Sequence, residues 1–317
     1  MNNQEINQIF ERFNQLNVVV IGDVMVDSFL WGKVDRVSPE APVPVVSVLN
    51  RENRLGGAAN VSLNIKSLGA TPWLFSVVGD DDKGRKLKKM LAKEELSAQG
   101  IFTDSTRLTT VKSRIISKGQ YIVRVDEECT DEINSVLESL IVEAVHKLLD
   151  EKKIDVIIFI DYDKGVITPT LFEKINEMAI SKGIPTAVDP KKRNFRHYKN
   201  VSLFKPNFKE FTDGVDVQVE KGDLEKIRRE AGLFREKQSF KIIFITLSEL
   251  GVFISNGVQE LYFPANIRYV ADVSGAGDTV ISVASLALAT GLNPGILAWM
   301  SNLAGGLVCE KTGVSPV

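Results

Sequence analysis

Residues 154–190 read IDVIIFIDYDKGVITPTLFEKINEMAISKGIPTAVDP. The segment 154–160 is apolar apart from Asp155, which predicts a short buried strand. Residues 169–181 read as a helix, and 184–188 as a second strand. Strand, helix, strand is the repeating unit of an α/β fold. The alternation continues outward in both directions. Upstream lie a strand at 17–21, a helix at 58–68 with Val61, Ile65 and Leu68 on one face, a strand at 71–78, and helices at 82–96 and 131–150. Downstream lie a short helix after Asn207, a charged helix at 224–238 and a strand at 241–246. A hairpin of 251–255 and 258–263 turns at Asn256-Gly257. Helices at 276–289 and 294–309 follow. This pattern predicts a three-layer α/β/α sandwich.

Two regions break the alternation. Residues 29–49 contain Phe29-Leu-Trp31 and the run Val43-Pro-Val-Val-Ser-Val48 with no helix between them. Residues 111–126 read as a strand pair around Lys118-Gly119-Gln120. Inserted β segments of this kind form a small sheet standing off the main body, as a lid or a dimer contact, or else surface hairpins.

The composition excludes several functions. A formal net charge of -2 across 317 residues gives no basic footprint for nucleic acid or an anionic membrane. Two cysteines, Cys129 and Cys309, are too few for a disulfide framework, and two histidines far apart in sequence make no zinc site. The first residues lack a basic region followed by an apolar one, and Ile6, Ile9, Phe10 and Phe13 instead recur at helical spacing. The apolar stretch 280–292 is too short to span a bilayer. A reducing cytoplasm is the expected location.

Neither GxxxxGK[ST] nor a GxGxxG after the first strand occurs, so phosphate must be handled by other means. The best candidate is Asp272-Val-Ser-Gly-Ala-Gly-Asp278-Thr279, which opens a helix. Gly275 and Gly277 let the backbone approach a ligand, and free N–H groups at a helix start bind anions. Asp278 beside them can accept a proton from a hydroxyl while the amides stabilise a transferring phosphoryl group. Taken alone, the motif also reads as a glycine turn with Asp278 as an N-cap. Gly56-Gly57-Ala-Ala-Asn60 supplies small residues and an amide that can bind hydroxyls, or simply starts a helix. Lys205-Pro-Asn207-Phe208-Lys209-Glu210 can face a nucleotide and its magnesium shell, or form a capping box. Asp23 and Asp27 follow the first strand, at the ligand crevice of an α/β sheet. Asp189-Pro-Lys191-Lys-Arg193 follows another strand and offers cations to a phosphate, or is a solvated loop.

These clusters, in this order, resemble the ribokinase-like (PfkB) sugar kinases over essentially the whole chain. GGAAN at 56–60 is similar to the first signature of that family and DVSGAGDT at 272–279 to its second. The resemblance implies a ribokinase-like fold with a small β-sheet lid at 29–49 and 111–126, using ATP and Mg2+. It implies Asp278 as catalytic base and Gly275, Ala276 and Gly277 as the anion hole. Asn207, Phe208, Lys209 and Glu210 match the nucleotide motif, with Glu210 acting on the metal through water. Thr246, Ser248, Gly251 and Asn302 fall where nucleotide contacts are expected. Asp27, Gly56, Gly57 and Asn60 match sugar contacts.

Within the family, VVIGDVMVD at 19–27, RVSPEAPVPV at 36–45, DYDKG at 161–165, Asp189-Pro-Lys191 and the near-terminal Lys311-Thr-Gly313 are similar to kinases of D-glycero-β-D-manno-heptose 7-phosphate, which serve lipopolysaccharide synthesis. That implies an anionic substrate, with Arg114, Arg124, Lys164, Asp189 and Lys191 as candidate contacts and Lys191 favoured for the phosphate. It also implies a homodimer through the lid and a separate adenylyltransferase acting downstream, since a chain of this length leaves no room for that domain. Three departures stand out. Ser274 replaces a commoner Thr. Leu247-Ser-Glu-Leu250 replaces a more polar segment. Asp163 places a carboxylate where a small residue is usual. Two alternatives are a kinase of another sugar or sugar phosphate, and a non-catalytic sugar- or nucleotide-binding regulator, against which the intact Asp278 argues.

Overall fold

The computed structural model describes residues 3–265, 270–310 and 313–316. Lys311 and Thr312 of the near-terminal motif lie outside the described residues. The chain opens with α1 (Asn3–Phe13) and β1 (Asn17–Gly22), followed by the long antiparallel pair β2 (Val24–Val37) and β3 (Pro44–Gly57). Next come α2 (Ala58–Ser67), β4 (Thr71–Gly79), α3 (Asp82–Lys93) and β5 (Ile101–Asp104), then a second antiparallel pair, β6 (Val111–Ser117) and β7 (Gln120–Glu127). The alternation resumes with α4 (Ser135–Glu151), β8 (Val156–Ile160), α5 (Pro169–Ser181), β9 (Thr186–Asp189), β10 (Leu203–Phe204), α6 (Phe208–Val215), α7 (Leu224–Gln238) and β11 (Ile242–Thr246). The hairpin β12 (Val252–Ser255) and β13 (Glu260–Phe263) precedes α8 (Ala276–Ala289) and α9 (Pro294–Val308).

The main sheet has nine strands in the order β13-β12-β11-β10-β9-β8-β1-β4-β5, parallel from β11 to β5 and antiparallel in the hairpin. Side chains alternate between its faces, so each strand feeds two cores. Val18, Val20, Val156, Ile158 and Phe244 pack with α2, α8 and α9 on one side. Val19, Ile21, Ile157, Phe159 and Ile245 pack with α4, α5 and α7 on the other. This is the three-layer sandwich expected from the alternation.

The second sheet has four strands in the order β3-β2-β6-β7. The inserted β segments fall in these two pairs, and β2 starts only two residues after β1 ends. The smaller sheet is thus rooted at the carboxyl edge of the main one. All of β7 is exposed, whereas β2 is buried along its first half.

Helix starts depart from periodicity where a cap decides. The expected helix at 131–150 begins at Ser135 because Asn134 accepts hydrogen bonds from Val136 N at 3.1 Å and Leu137 N at 3.0 Å. The helix expected to run to residue 96 ends at Lys93, and Glu95 is left-handed at φ 52°. The strand β5 went unpredicted, since four residues are too few to show a period.

Candidate active site

The parallel strands end together, and the residues just past them form the crevice of the sheet. Asp23 follows β1, Asp161 and Tyr162 follow β8, Asp189 closes β9, and Lys205 follows β10. The N-terminus of α8 points into this row.

Asp278 is 3% exposed, in the first turn of α8. Its Oδ2 accepts a hydrogen bond from Asn60 Nδ2 at 2.7 Å, and its Oδ1 accepts one from the Tyr162 hydroxyl at 2.8 Å. Burial pushes its carboxyl up to about 7. The two donors oppose that rise, and the nearby charges of Asp189 and Asp27 add to it. Gly275 is the N-cap, at φ 83°, a conformation in which a side chain is strained, and a Cβ there would stand 3.2 Å from Asn60 Nδ2. Asp278 is therefore not the helix N-cap, which was the alternative reading of its motif.

Asn60 lies in the first turn of α2 and is fully buried. The GGAAN motif thus reaches the base itself. Asp27, on β2, forms an ion pair with Arg114 of β6. A Cβ on Gly56 would sit 2.2 Å from Asp27 Oδ2, so only glycine permits this approach. Arg114 and Arg54 lie over the Phe29 ring at 5.2 and 5.3 Å.

Lys205 Nζ is 3.0 Å from Asp189 Oδ2, with both side chains largely buried. The ammonium stands 3.9 Å from where a Gly277 Cβ would be, beside the start of α8. The sequence places Lys205 at the head of the nucleotide motif without a role of its own; the pairing of β9 with β10 brings it to Asp189. Asn207 and Glu210 form the capping box of α6: Asn207 Oδ1 accepts from Glu210 N at 2.8 Å, and Glu210 Oε2 accepts from Asn207 N at 2.8 Å. The other Glu210 oxygen pairs with Lys191. Burial alone would lower the Lys191 ammonium, but Glu210, Asp189 and Asp278 outweigh it and hold its pKa above the ordinary value. Lys191 also lies 5.2 Å from the Tyr162 ring centre.

Other candidates stand further out. Lys164 Nζ pairs with Glu128 at 2.9 Å, and Arg124, half-exposed, donates to Asp126 at 2.9 Å. Thr246 bridges to Asn207, while Ser248 is exposed in a single turn ending at Gly251. Phe208 and Lys209 occupy the first turn of α6. Asn302 donates to the Pro264 carbonyl at 2.9 Å. In the departing segment, Leu247 is fully buried and its N–H donates to Gly251 O at 2.7 Å. Asp163 is left-handed at φ 56°, and its charge is felt at Asp161 and Tyr198.

Asp23 organises the loop after β8. Its carboxylate accepts from the backbone N–H groups of Tyr162 at 2.7 Å, Lys164 at 3.0 Å and Val166 at 3.1 Å. Asp161, beneath it, accepts from the Tyr198 hydroxyl at 2.6 Å and is pushed up to about 7 by burial and by Asp23. These two carboxylates build the loop that presents Tyr162.

Comparison with known proteins agrees with this architecture. The profile described as pfkB family carbohydrate kinase matches residues 15–317. The Bifunctional protein HldE of Pelobacter propionicus is 37% identical over 318 residues, spanning 100% of this chain and 64% of its own length. That of Geotalea uraniireducens is 38% identical over 325 residues, with the same coverage. The chain thus spans 64% of the length of these curated relatives. Phosphofructokinase-2 from Escherichia coli, solved in complex with substrates and products, superposes at TM-score 0.77 with 18% identity, covering 93% of this chain and 92% of its own. Arabidopsis thaliana ribokinase, complexed with ribose and ATP, superposes at 0.73 with 14% identity, covering 94% of each. These structures establish a ribokinase-like fold, and the profile match shows that the chain belongs to the pfkB family of carbohydrate kinases.

Proposed function

We propose that the chain transfers the γ-phosphoryl group of ATP to the anomeric hydroxyl of D-glycero-β-D-manno-heptose 7-phosphate. One observation carries the chemistry: a buried carboxylate, Asp278, stands in the first turn of a helix whose N–H groups face the crevice. Asp278 takes the proton of the acceptor hydroxyl as its oxygen attacks phosphorus. The amides of the 275–278 turn and the Lys205 ammonium meet the negative charge on the transferring group.

The donor set fits a nucleotide with its metal. The α8 start supplies first-turn amides, of which Ala276 N donates to the Val273 carbonyl at 3.3 Å, Lys205 and Lys191 supply positive charge, and Glu210 supplies a carboxylate at the crevice. Glu210 would hold Mg2+ through water, because this ion keeps much of its hydration shell. When bound, the ion neutralises phosphate charge.

The heptose 7-phosphate assignment rests on the similarity to the HldE proteins and on local cations, since the net charge of -2 attracts no anion. Arg114, held by Asp27 at the root of the smaller sheet, is suited to reach the sugar phosphate. The smaller sheet acts as a lid over the sugar and as the contact surface of a homodimer. Val37, Val48, Leu49, Val123 and Val125 are exposed on it. An adenylyltransferase activity would use the product. Among the described residues no helix is long and apolar enough to cross a membrane.

The test is a panel of sugars and sugar phosphates with ATP and Mg2+, products read by NMR. The expected result is a 1,7-bisphosphate from the heptose 7-phosphate. Equal or better turnover of another sugar phosphate replaces the substrate assignment and keeps the kinase, and no phosphorylation of any sugar refutes both.

A further inference from the structure

The proposed base has a partner from the DYDKG segment, to which the sequence motif gave no role. Tyr162 lies 116 residues from Asp278 in sequence, yet its hydroxyl donates to Asp278 Oδ1 at 2.8 Å. Asn60 serves the other oxygen at 2.7 Å. Each carboxylate oxygen has two lone pairs, so one donor on each fixes the plane of the group and leaves one lone pair on each for an acceptor hydroxyl. A carboxylate free to rotate would present that lone pair only part of the time.

Tyr162 is itself held. Its backbone N–H donates to Asp23 Oδ2 at 2.7 Å, and the neighbouring N–H groups of Lys164 and Val166 go to the same carboxylate. The preceding Asp161 is anchored by the Tyr198 hydroxyl. The Lys191 ammonium lies over the Tyr162 ring. The phenol cannot leave Asp278 by a backbone shift without unmaking the Asp23 cradle. A continuous set of contacts therefore runs from the end of β1, through the loop after β8, to the first turn of α8.

We infer that Tyr162 is the positioning residue of the phosphoryl-transfer base, fixing the orientation of the Asp278 carboxylate and stabilising its ionised form. The inference rests on the kinase reading given above. Burial and the charge of Asp278 hold the phenol proton on Tyr162 far above neutrality, so it donates throughout the working range. A donor to a carboxylate favours the charged form. The other groups facing Asp278 are Asp27 from β2, Asp189 at the end of β9, and Lys191 just beyond it. Lys205 neutralises Asp189 from β10. Two carboxylates and burial push Asp278 towards protonation, and Tyr162 and Asn60 are the hydrogen bonds that resist it.

The test is Tyr162→Phe, which keeps the ring and its contact with Lys191. We expect kcat to fall about tenfold, and the acidic limb of the kcat/KM profile to move up by about one pH unit, the usual scale for one hydrogen bond to a charged group. KM for ATP should stay within about twofold, because uniform ground-state binding is untouched. Replacement of Tyr162 by 3-fluorotyrosine, a more acidic donor of nearly the same shape, should move the limb down instead. A structural role alone predicts no such reversal. The substrate-free readout is 13C NMR titration of the Asp278 carboxyl, assigned with Asp278→Asn, in wild type and both variants. If the wild type phosphorylates no sugar, the kinase reading fails while this titration still decides whether Tyr162 stabilises the Asp278 carboxylate. Unchanged titration and unchanged pH profile in both variants would overturn the inference.

Discussion

Lys191 and Glu210 form an ion pair in which the carboxylate has a second commitment: Glu210 Oε2 accepts the backbone N–H of Asn207 at 2.8 Å. One side chain thus caps α6 and charges the crevice. The two roles separate by substitution. Glu210→Gln keeps an acceptor for the cap and removes only the charge, so its Tm should stay within about 2 °C of wild type. The magnesium concentration for half-maximal rate should rise and kcat should fall. Glu210→Ala should also lose the cap, at about 1 kcal/mol of stability. An unaltered magnesium titration in the Gln variant would leave Glu210 as cap and ion-pair partner only.

Asp278→Asn should lower kcat by on the order of 100- to 10,000-fold, the range for a general base, while ATP binding by calorimetry survives. A variant keeping more than about a tenth of wild-type kcat removes Asp278 from that role. For the wild type, kcat/KM should climb with pH and level off above about 7, where burial has placed the carboxyl.

The same burial makes a stability prediction of opposite sign. Asp278 and Asp161 are both raised to about 7 in the folded protein, against 3.8 when free. The folded state therefore holds more protons than the unfolded one between these values, and stability from these groups is full below the lower value and lost as pH rises through about 7. Asp278→Asn should raise Tm at pH 8 and have little effect near pH 4. Equal Tm differences at both pH values would show that Asp278 is not held protonated by its site.

The sequence made the layers legible because the strands are uninterrupted apolar runs and the helices carry clear stripes. It made Asp278, Gly275 and Asn60 legible because each sits in a short motif. Tyr162, Lys205 and Asp23 acquire their partners only when the strand ends meet. Asp23 was recognisable as a crevice residue, but its service to the loop after β8 depends on backbone N–H groups, which leave no trace in residue identity. The Asn207–Glu210 spacing stayed ambiguous for a physical reason: one carboxylate takes part in both a cap and the crevice.

The smaller sheet is tied to the 272–278 loop through the Asp272 carboxylate. Asp272 Oδ2 accepts from the Tyr121 hydroxyl of β7 at 2.8 Å and from Gly313 N at 2.9 Å, and Oδ1 accepts from Ser274 N at 2.9 Å. Arg54 of β3 donates to the Val314 carbonyl at 2.9 Å. If the sheet is a lid, sugar phosphate should protect residues 29–49 and 111–126 from hydrogen exchange, and Tyr121→Phe should weaken that protection and raise ATP hydrolysis in the absence of sugar, since water competes when a site is open. No change in exchange at saturating substrate would argue against a lid.

The last prediction separates the two ends of the substrate. Sequence alone favoured Lys191 for the remote phosphate of a heptose 7-phosphate. In the fold Lys191 stands among Glu210, Asp189, Tyr162 and Asp278, which the proposed mechanism places at the reacting end. Arg114 pairs with Asp27 on the smaller sheet, beside Phe29. A guanidinium forks onto phosphate bidentately, and Asp27 sets its orientation. Arg114→Ala should therefore raise KM for the sugar phosphate and also lower kcat, because remote binding energy orients the reacting centre. Its KM for ATP should be unchanged, and its turnover of the dephosphorylated sugar should fall less than that of the sugar phosphate, since the phosphate contact is lost in addition to the ion pair with Asp27. Lys191→Ala should lower kcat for both sugars by a similar factor and alter the magnesium titration through the freed Glu210. Steady-state kinetics of both variants on both sugars gives four comparisons. Selective loss of sugar phosphate turnover in Lys191→Ala, with Arg114→Ala unaffected, would return the remote phosphate to Lys191.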